Sequence, residues 1–321
     1  MPDYKLLHNK IYAKIKSAEK ILLTTHEKPD IDAVGSVCAF IEILENLGKP
    51  YFAYCYDAPP RQFNFIPHIE KIKSDKNLYN FNEFDLIIIF DAGGMKRTRL
   101  DEEIINKNKN QFVIEIDHHP KIEEFSDLEL RIASASSTTE IIYDFFKLNN
   151  IKINKNTANC ILAGILADSG NFIFPATSDK TIDISSQMLV RGANLPAIMK
   201  NTLHNKSLSA LKIWGKAMAR IKINKNYNFA YTVLTWEDAA GVNEEDLEGI
   251  SNFLGNLHGV KGVLLLREQP GGTIRGSLRS SHPSANMTLL AQVLGGGGHA
   301  KASGFTIAGK LEKTAKGWRV I

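Results

Sequence analysis

Cysteine is scarce, with three in 321 residues at positions 38, 55 and 160, and no two stand in a CxxC spacing. Nothing in that usage suggests a thiolate metal site or a redox pair, and Cys38 and Cys160 sit in apolar, helix-like surroundings that suit plain packing. Long apolar runs are also missing. No stretch approaches the ~18 residues of a membrane span. The first twenty residues place Leu7, Ile11 and Ile15 at helical spacing, without the continuous apolar core of a secretion signal. A cytoplasmic protein with no membrane partner is the expectation. There are no internal repeats and no low-complexity segment. A strong charge of one sign is absent as well, the formal net charge being +4. That small value hides an asymmetry. From Ser207 onward there are 14 Lys and Arg against 8 Asp and Glu, so the positive excess lies in the C-terminal third. It reads equally as solvated surface or as a face for anionic substrates.

What is present points to α/β architecture. Residues 21–24, 51–56, 86–90 and 112–116 are short apolar runs of buried-strand character, and residues 32–47, 137–148 and 158–167 carry helical patterns between and after them. Such alternation predicts a mostly parallel sheet flanked by helices. Residues 181–198 read as a further helix interrupted at 191–194. Strands are expected at 229–235, 260–267 and 273–278, and a short helix at 289–294 before a run of four glycines and His299. Ser137-Thr138-Thr139-Glu140 has the form of a capping box. The length suits two domains, taken as 1–200 and 201–321: an N-terminal α/β domain and a smaller C-terminal α/β domain.

The polar residues that follow the strand runs carry the chemistry. His26, Asp30 and Asp32 follow the first run, Asp91 follows 86–90, and Asp117, His118 and His119 follow 112–116; Asp168 ends a helical stretch. In parallel sheets ligands collect beyond the carboxyl ends of the strands, so independent strands would deliver these groups to one edge. Singly, most have plain explanations. Asp30 and Asp32 would suit a helix N-terminus, and Asp91 or Asp168 could cap a turn. Together, carboxylates and imidazoles without thiolate suit Mn²⁺ or Mg²⁺-like ions, with Zn²⁺, Fe²⁺ or Co²⁺ as alternatives. A pair of divalent cations would relieve carboxylate repulsion and activate a water for attack at phosphorus. In the C-terminal third, the glycine run ending in Gly297, Gly298 and His299 is either an anion site or a tight turn, and Arg279 with Ser280 could complete a phosphate pocket.

These residues, in this order, resemble the DHH phosphoesterase family. The likeness rests on His26-x-x-Pro29-Asp30-x-Asp32-Ala33-x-Gly35-Ser36, residues 91–97, Asp117-His118-His119, Ser137-Thr138-Thr139-Glu140 and residues 164–172. Arg279-Ser280 and Gly295–His299 are similar to the family's associated nucleic-acid-binding domain. The resemblance implies a bilobal protein with a central cleft and a manganese-dependent site there, its two divalent cations held by His26, Asp30, Asp32, Asp91, His118 and Asp168, Asp91 and Asp168 acting as bridges. It gives His119 to the scissile phosphate, Asp117 to support, and Arg279, Ser280, Gly297, Gly298 and His299 to the substrate. It further implies cleavage of short oligonucleotides, including linear dinucleotides such as pApA or pGpG, to mononucleotides, and removal of the 3′-phosphate of pAp, as in the nanoRNase subgroup. Hydrolysis of pyrophosphate or polyphosphate by the same metals is the rival reading, and a non-catalytic nucleotide-binding protein is a third. Ala167 and Ser303 depart from the family's usual residues and bear on fine substrate preference. A homodimer is compatible with all of this.

Overall fold

The computed structural model describes residues 4–202, 207–247, 249–315 and 317–321. The chain divides into two compact units, Met1–Asn205 and Lys206–Ile321.

The first unit is built on six parallel strands: β1 (Ile21–Thr25), β2 (Tyr51–Tyr54), β3 (Ile72–Lys73), β4 (Leu86–Phe90), β5 (Phe112–Asp117) and β6 (Leu128–Arg131), in the order β3-β2-β1-β4-β5-β6. Among the described residues its α-helices are α1 (Tyr4–Ser17), α2 (Ile31–Asn46), α3 (Asp101–Ile105), α4 (Thr138–Leu148), α5 (Lys155–Asp168), α6 (Asp179–Val190) and α7 (Leu195–Thr202). The continuous apolar runs of β1 and β4 are explained by burial on both faces. Ile21, Leu23, Ile88 and Phe90 enter the larger core with α2, α4 and α5, whereas Leu22, Ile87 and Ile89 enter a smaller core with Leu100 and Ile104. Helices α2 and α5 pack very closely, since a β-carbon on Gly35 would lie 2.8 Å from the Cys160 carbonyl oxygen. The strand order reverses direction between β1 and β4, which makes that junction the sheet's topological switch point.

The second unit contains α8 (Leu208–Ala219), β7 (Lys222–Asn224), β8 (Phe229–Leu234), α9 (Glu244–Leu247), α10 (Ile250–Leu254), β9 (Gly262–Gln269), β10 (Thr273–Arg279), α11 (Met287–Val293), β11 (Gly297–His299) and β12 (Ala302–Ala308). A hairpin of β13 (Leu311–Thr314) and β14 (Gly317–Val320) completes it. Its main sheet has the order β11-β12-β10-β9-β8-β7 and is mixed, β8 and β9 pairing parallel. Leu278 and Phe305 pack with Met287 and Ala291 of α11 on one face, and Val263 and Leu265 pack with Ile213 and Ala217 of α8 on the other.

Two local readings are revised. The Gly297-Gly298-His299 segment is an edge strand paired antiparallel with β12, not a turn. The α11 helix ends before it at Gly295, whose φ of +74° suits the residue just past a helix end. The interrupted helix at 181–198 is two helices, α6 and α7, parted at Arg191-Gly192, where Gly192 has φ +91°. The expected polar connection at 201–209 falls partly on residues 203–206, outside the described residues, and α8 already begins at Leu208 behind the Ser207 cap.

Candidate metal centre

The site grows out of the switch point. Strand β1 ends at Thr25 and β4 at Phe90, side by side in register, so His26 and Asp91 leave the sheet as neighbours. The adjacent strand β5 ends in Asp117 and delivers His118 and His119 to the same edge. Helix α2 contributes Asp30 at its N-cap and Asp32 in its first turn. Asp168 is the last residue of α5. Capping does not account for it, because a carboxylate at a helix C-terminus faces the negative end of the macrodipole. Asp30 does cap, its Oδ1 accepting from Ala33 N at 3.0 Å, while its other oxygen lies 3.8 Å from His26 Nε2. The cap and ligand readings of Asp30 are therefore compatible.

The imidazole of His26 is buried and has a defined orientation. Its Nδ1 lies 2.6 Å from the Glu27 carbonyl oxygen, which requires a proton on Nδ1 and leaves Nε2 with its lone pair. That Nε2 is buried without a hydrogen-bond partner, 3.8 Å from Asp91 Oδ2. Burial lowers the His26 pKa and keeps the ring neutral, the form that binds cations. His118 places Nε2 3.1 Å from Asp168 Oδ2 and 3.4 Å from Asp91 Oδ1. Three groups of donors lie within 4.8 Å: His26, Asp30 and Asp91; Asp32, His118 and Asp168; and Asp91, His118 and His119. Asp91 and His118 are each common to two of them, and Asp168 belongs to one.

The electrostatics of this cluster are those of a divalent-cation site. Burial pushes the Asp91 carboxyl well above the carboxylate range, and Asp32, Asp30, Asp168 and Asp117 add to the shift. Burial likewise raises Asp168 to about 7 and raises Asp32. Burial opposes protonation of His118, but Asp168 and the other carboxylates override it and lift the ring to about 9. Metal-free, the site holds its excess negative charge by retaining protons; a bound cation replaces them. An orphaned buried imidazole nitrogen and converging carboxylates fit that occupant.

Further side chains hold the donors in place. Asp32 is fully buried at the N-terminus of α4, where its oxygens accept from Thr138 N at 2.6 Å, Thr139 N at 3.1 Å and Thr139 Oγ1 at 2.6 Å. Thr138 Oγ1 donates to Asp91 Oδ1 at 3.0 Å. Only half of the expected capping box forms. Ser137 Oγ accepts from Glu140 N at 3.1 Å, but the Glu140 carboxylate turns to Ser136 and Thr181. Asp91 itself has φ +54°, a left-handed conformation costing roughly 1–2 kcal/mol that Asp tolerates better than most residues. Asp117 accepts from Gly93 N at 2.6 Å and from both His119 N and His119 Nδ1 at 2.8 Å. Burial would raise its pKa, but the His119 bonds and the nearby Arg131 charge hold it down at about 2. The half-buried Arg131 also donates to the His119 carbonyl at 2.7 Å and to Glu115 at 2.5 Å. Sequence reasoning assigned no role at the site to Thr138, Thr139 or Arg131. The threonines were visible as a helix start, whereas Arg131 lies in a strand that the pattern did not reveal.

In the second unit, β12 separates β10 from β11, and Arg279 and His299 both pair with Ala302. They occupy one row across the sheet and hence one face. Arg279 donates to Asn252 Oδ1 at 2.7 Å and to the Leu278 carbonyl at 2.8 Å, with no carboxylate partner among the described residues. Burial and the like charge of Arg275 lower its pKa. Ser280 Oγ donates to the Lys261 carbonyl at 2.6 Å, and Gly297 and Gly298 lie in the same exposed edge strand as His299.

The chain is similar to known proteins over most of its length. Residues 20–165 match the DHH family, N-terminal domain, and residues 226–316 match the DHHA1 domain. The chain is 31% identical over 299 residues to the probable bifunctional oligoribonuclease and PAP phosphatase NrnA of Streptococcus mutans, covering 92% of this chain and 91% of that one. It is 28% identical to the bifunctional oligoribonuclease and PAP phosphatase NrnA of Bacillus subtilis, covering 90% of each. The crystal structure of an exopolyphosphatase-related protein from Bacteroides fragilis superposes with a TM-score of 0.86 at 26% identity, covering 94% of this chain and 91% of that one. Among the described residues no helix is long and apolar enough to cross a membrane. With an acid–imidazole cluster at the switch point and both domains matched, the chain belongs to the DHH family of phosphoesterases.

Proposed function

We propose that this chain is a Mn²⁺-dependent cytoplasmic phosphodiesterase that hydrolyses short oligonucleotides, linear dinucleotides included, to mononucleotides, and that it also removes the 3′-phosphate of pAp. The observation that carries the reading is the meeting of three donor groups at the switch point, linked to one another by Asp91 and His118. His26, Asp30 and Asp91 would hold one cation, and Asp32, Asp91, His118 and Asp168 a second, with Asp91 as the bridge. Two divalent ions supply Lewis acidity at phosphorus and a nucleophile at neutral pH. The protein's own part is to hold His26 in its neutral, Nδ1-protonated form and to lock Asp32 against α4. Asp117 fixes the His119 ring through Nδ1, which orients that ring for a phosphoryl oxygen. Residues 1–200 form the catalytic domain in this reading and 201–321 the substrate domain. The row of Arg279 and His299, with Ser280, Gly297 and Gly298 beside it, would engage a neighbouring phosphate or base. The names of the Streptococcus and Bacillus relatives support this substrate class.

The test is mononucleotide release from a labelled RNA dinucleotide with Mn²⁺ present. Asp91→Ala and His118→Ala should each abolish it, and full activity in either variant would refute the site. The Bacteroides structure, described as exopolyphosphatase-related, favours a second reading in which polyphosphate or pyrophosphate is the substrate. Arg279→Ala and His299→Ala separate the two, because oligonucleotide cleavage should fall in both variants while pyrophosphate hydrolysis confined to the metals should not.

A further inference from the structure

The loop carrying Asp91 continues through Gly93 and Gly94 into the turn Met95–Thr98, and it brings a cation to the cluster without giving it a carboxylate. Arg97 is exposed, and its Nη1 donates to the Ala92 carbonyl at 2.9 Å. Its own carbonyl accepts from Glu27 N at 2.6 Å, which ties the Asp91 loop to the His26 loop. Among the described residues no Asp or Glu pairs with the Arg97 guanidinium. Arg99, two residues on, pairs instead with Glu27 at 2.7 Å.

Gly93 shows what the guanidinium borders. A β-carbon there would stand 2.9 Å from Arg97 Nη1 and 3.3 Å from His119 Cγ. Guanidinium and imidazole thus come together above the Asp91 loop, so close to Gly93 that no side chain fits at that position. A purely structural latch needs one donor to Ala92. Arginine brings five, in a planar fork that matches the oxygens of a phosphoryl group.

We propose that Arg97 and His119, over the bare backbone of Gly93, form a seat for the phosphoryl group that is cleaved, so that Arg97 is a substrate-binding residue on the metal-bearing unit itself. The proposal rests on the phosphodiesterase reading above, and the seat's ligand class is a nucleoside phosphomonoester or phosphodiester. After hydrolysis the same seat holds the 5′-phosphate of the product, which makes adenosine 5′-monophosphate a direct probe.

Calorimetric titration of the Mn²⁺-loaded full chain with adenosine 5′-monophosphate tests the seat. In Arg97→Ala affinity should fall at least tenfold, with partial recovery in Arg97→Lys and Mn²⁺ affinity within twofold of the original chain. Undiminished nucleotide affinity in Arg97→Ala would overturn the seat. So would a matching loss of Mn²⁺ affinity, since that would make Arg97 a latch between the two loops. Arg97→Gln, which retains a single amide donor for Ala92, separates these outcomes by keeping the latch while removing the charge. Dinucleotide turnover by the original chain is measured in parallel. If the original chain cleaves and Arg97→Ala cleaves equally well, the seat alone is refuted; if the original chain does not cleave, the functional reading fails and the seat with it.

Discussion

Gly164→Ala sets helix propensity directly against packing at the metal centre. Gly164 lies inside α5, where alanine is intrinsically favoured over glycine by about 1 kcal/mol. Propensity alone therefore predicts stabilisation. The surroundings oppose it: the new β-carbon would sit 2.4 Å from Asp32 Oδ1, 2.4 Å from Thr139 Oγ1 and 2.6 Å from Thr139 Cγ2. Those atoms form the bond of 2.6 Å that helps fix Asp32 to α4, and they are buried, so none can swing into solvent. Overpacking a filled core costs about 1–3 kcal/mol, and losing one hydrogen bond to a buried carboxylate adds about 1.5–3 kcal/mol. Packing wins, with a net loss of roughly 1.5–5 kcal/mol. For a unit of this size each kcal/mol corresponds to roughly 2–4 °C in Tm. Gly215→Ala is the internal control, because Gly215 lies in α8 with open space where its β-carbon would point. It should be neutral or stabilising by up to about 1 kcal/mol. Differential scanning calorimetry of both variants, with Mn²⁺ titrations, decides the matter. A Gly164→Ala protein as stable as the original chain and equally avid for Mn²⁺ would refute the claim that this helix contact shapes the ligand set.

Arg131→Met should destabilise the protein by about 3–5 kcal/mol in urea titrations, because it leaves the buried Glu115 and Asp117 without their cation. Asp238 accepts from Arg220, Thr235 N and Thr235 Oγ1, and although burial opposes ionisation these bonds hold its pKa at about 2. Its folded-state pKa is depressed, so its stabilising contribution is complete above about pH 4 and lost as pH falls towards 2. Acid titrations of Asp238→Asn should lack that limb, and an unchanged acid profile would contradict the assignment. Chelation should abolish dinucleotide cleavage and lower Tm, with Mn²⁺ at a hundred times its dissociation constant restoring about 2.7 kcal/mol of stability. Asp91→Asn keeps a side chain that tolerates φ > 0 and removes an ionisable group from a crowded buried site. The metal-free variant should therefore melt no lower than the metal-free original chain at pH 8, while losing activity.

Elements buried on both faces were legible in the sequence. Strands β1, β4 and β5 are runs of branched apolar residues that no solvent-facing element would carry, and the polar residues just beyond them announced the site. The edge strands β3 and β6 escaped notice because two to four residues of mixed burial leave no clear period. The glycines before His299 looked like a loop, yet Gly297 and Gly298 extend along β12. Gly296 shows why glycine is needed near that edge, since a β-carbon there would meet the Gly304 carbonyl oxygen at 2.1 Å. No local pattern could supply the link from Asp32 to Thr138 and Thr139, which spans more than a hundred residues of chain and exists only once α2, α4 and α5 have packed.

That packing explains how one edge tolerates so much acid. A parallel sheet sends every strand's carboxyl end the same way, so β1, β4 and β5 are bound to release their next residues together. Three carboxylates on such an edge would repel, and each is held by a different donor. Asp32 takes the N–H groups of α4, Asp91 takes the Thr138 hydroxyl, and Asp117 takes the Gly93 amide with Arg131 behind it. Only Asp117 is held well enough to keep its pKa low. For Asp32, Asp91 and Asp168 burial outweighs the local bonds and leaves their pKa values raised. The fold thus separates a carboxylate satisfied by protein from carboxylates left wanting a cation, and the boundary runs between Asp117 and His118. In the proposed reading, that is where the motif divides into support and ligand.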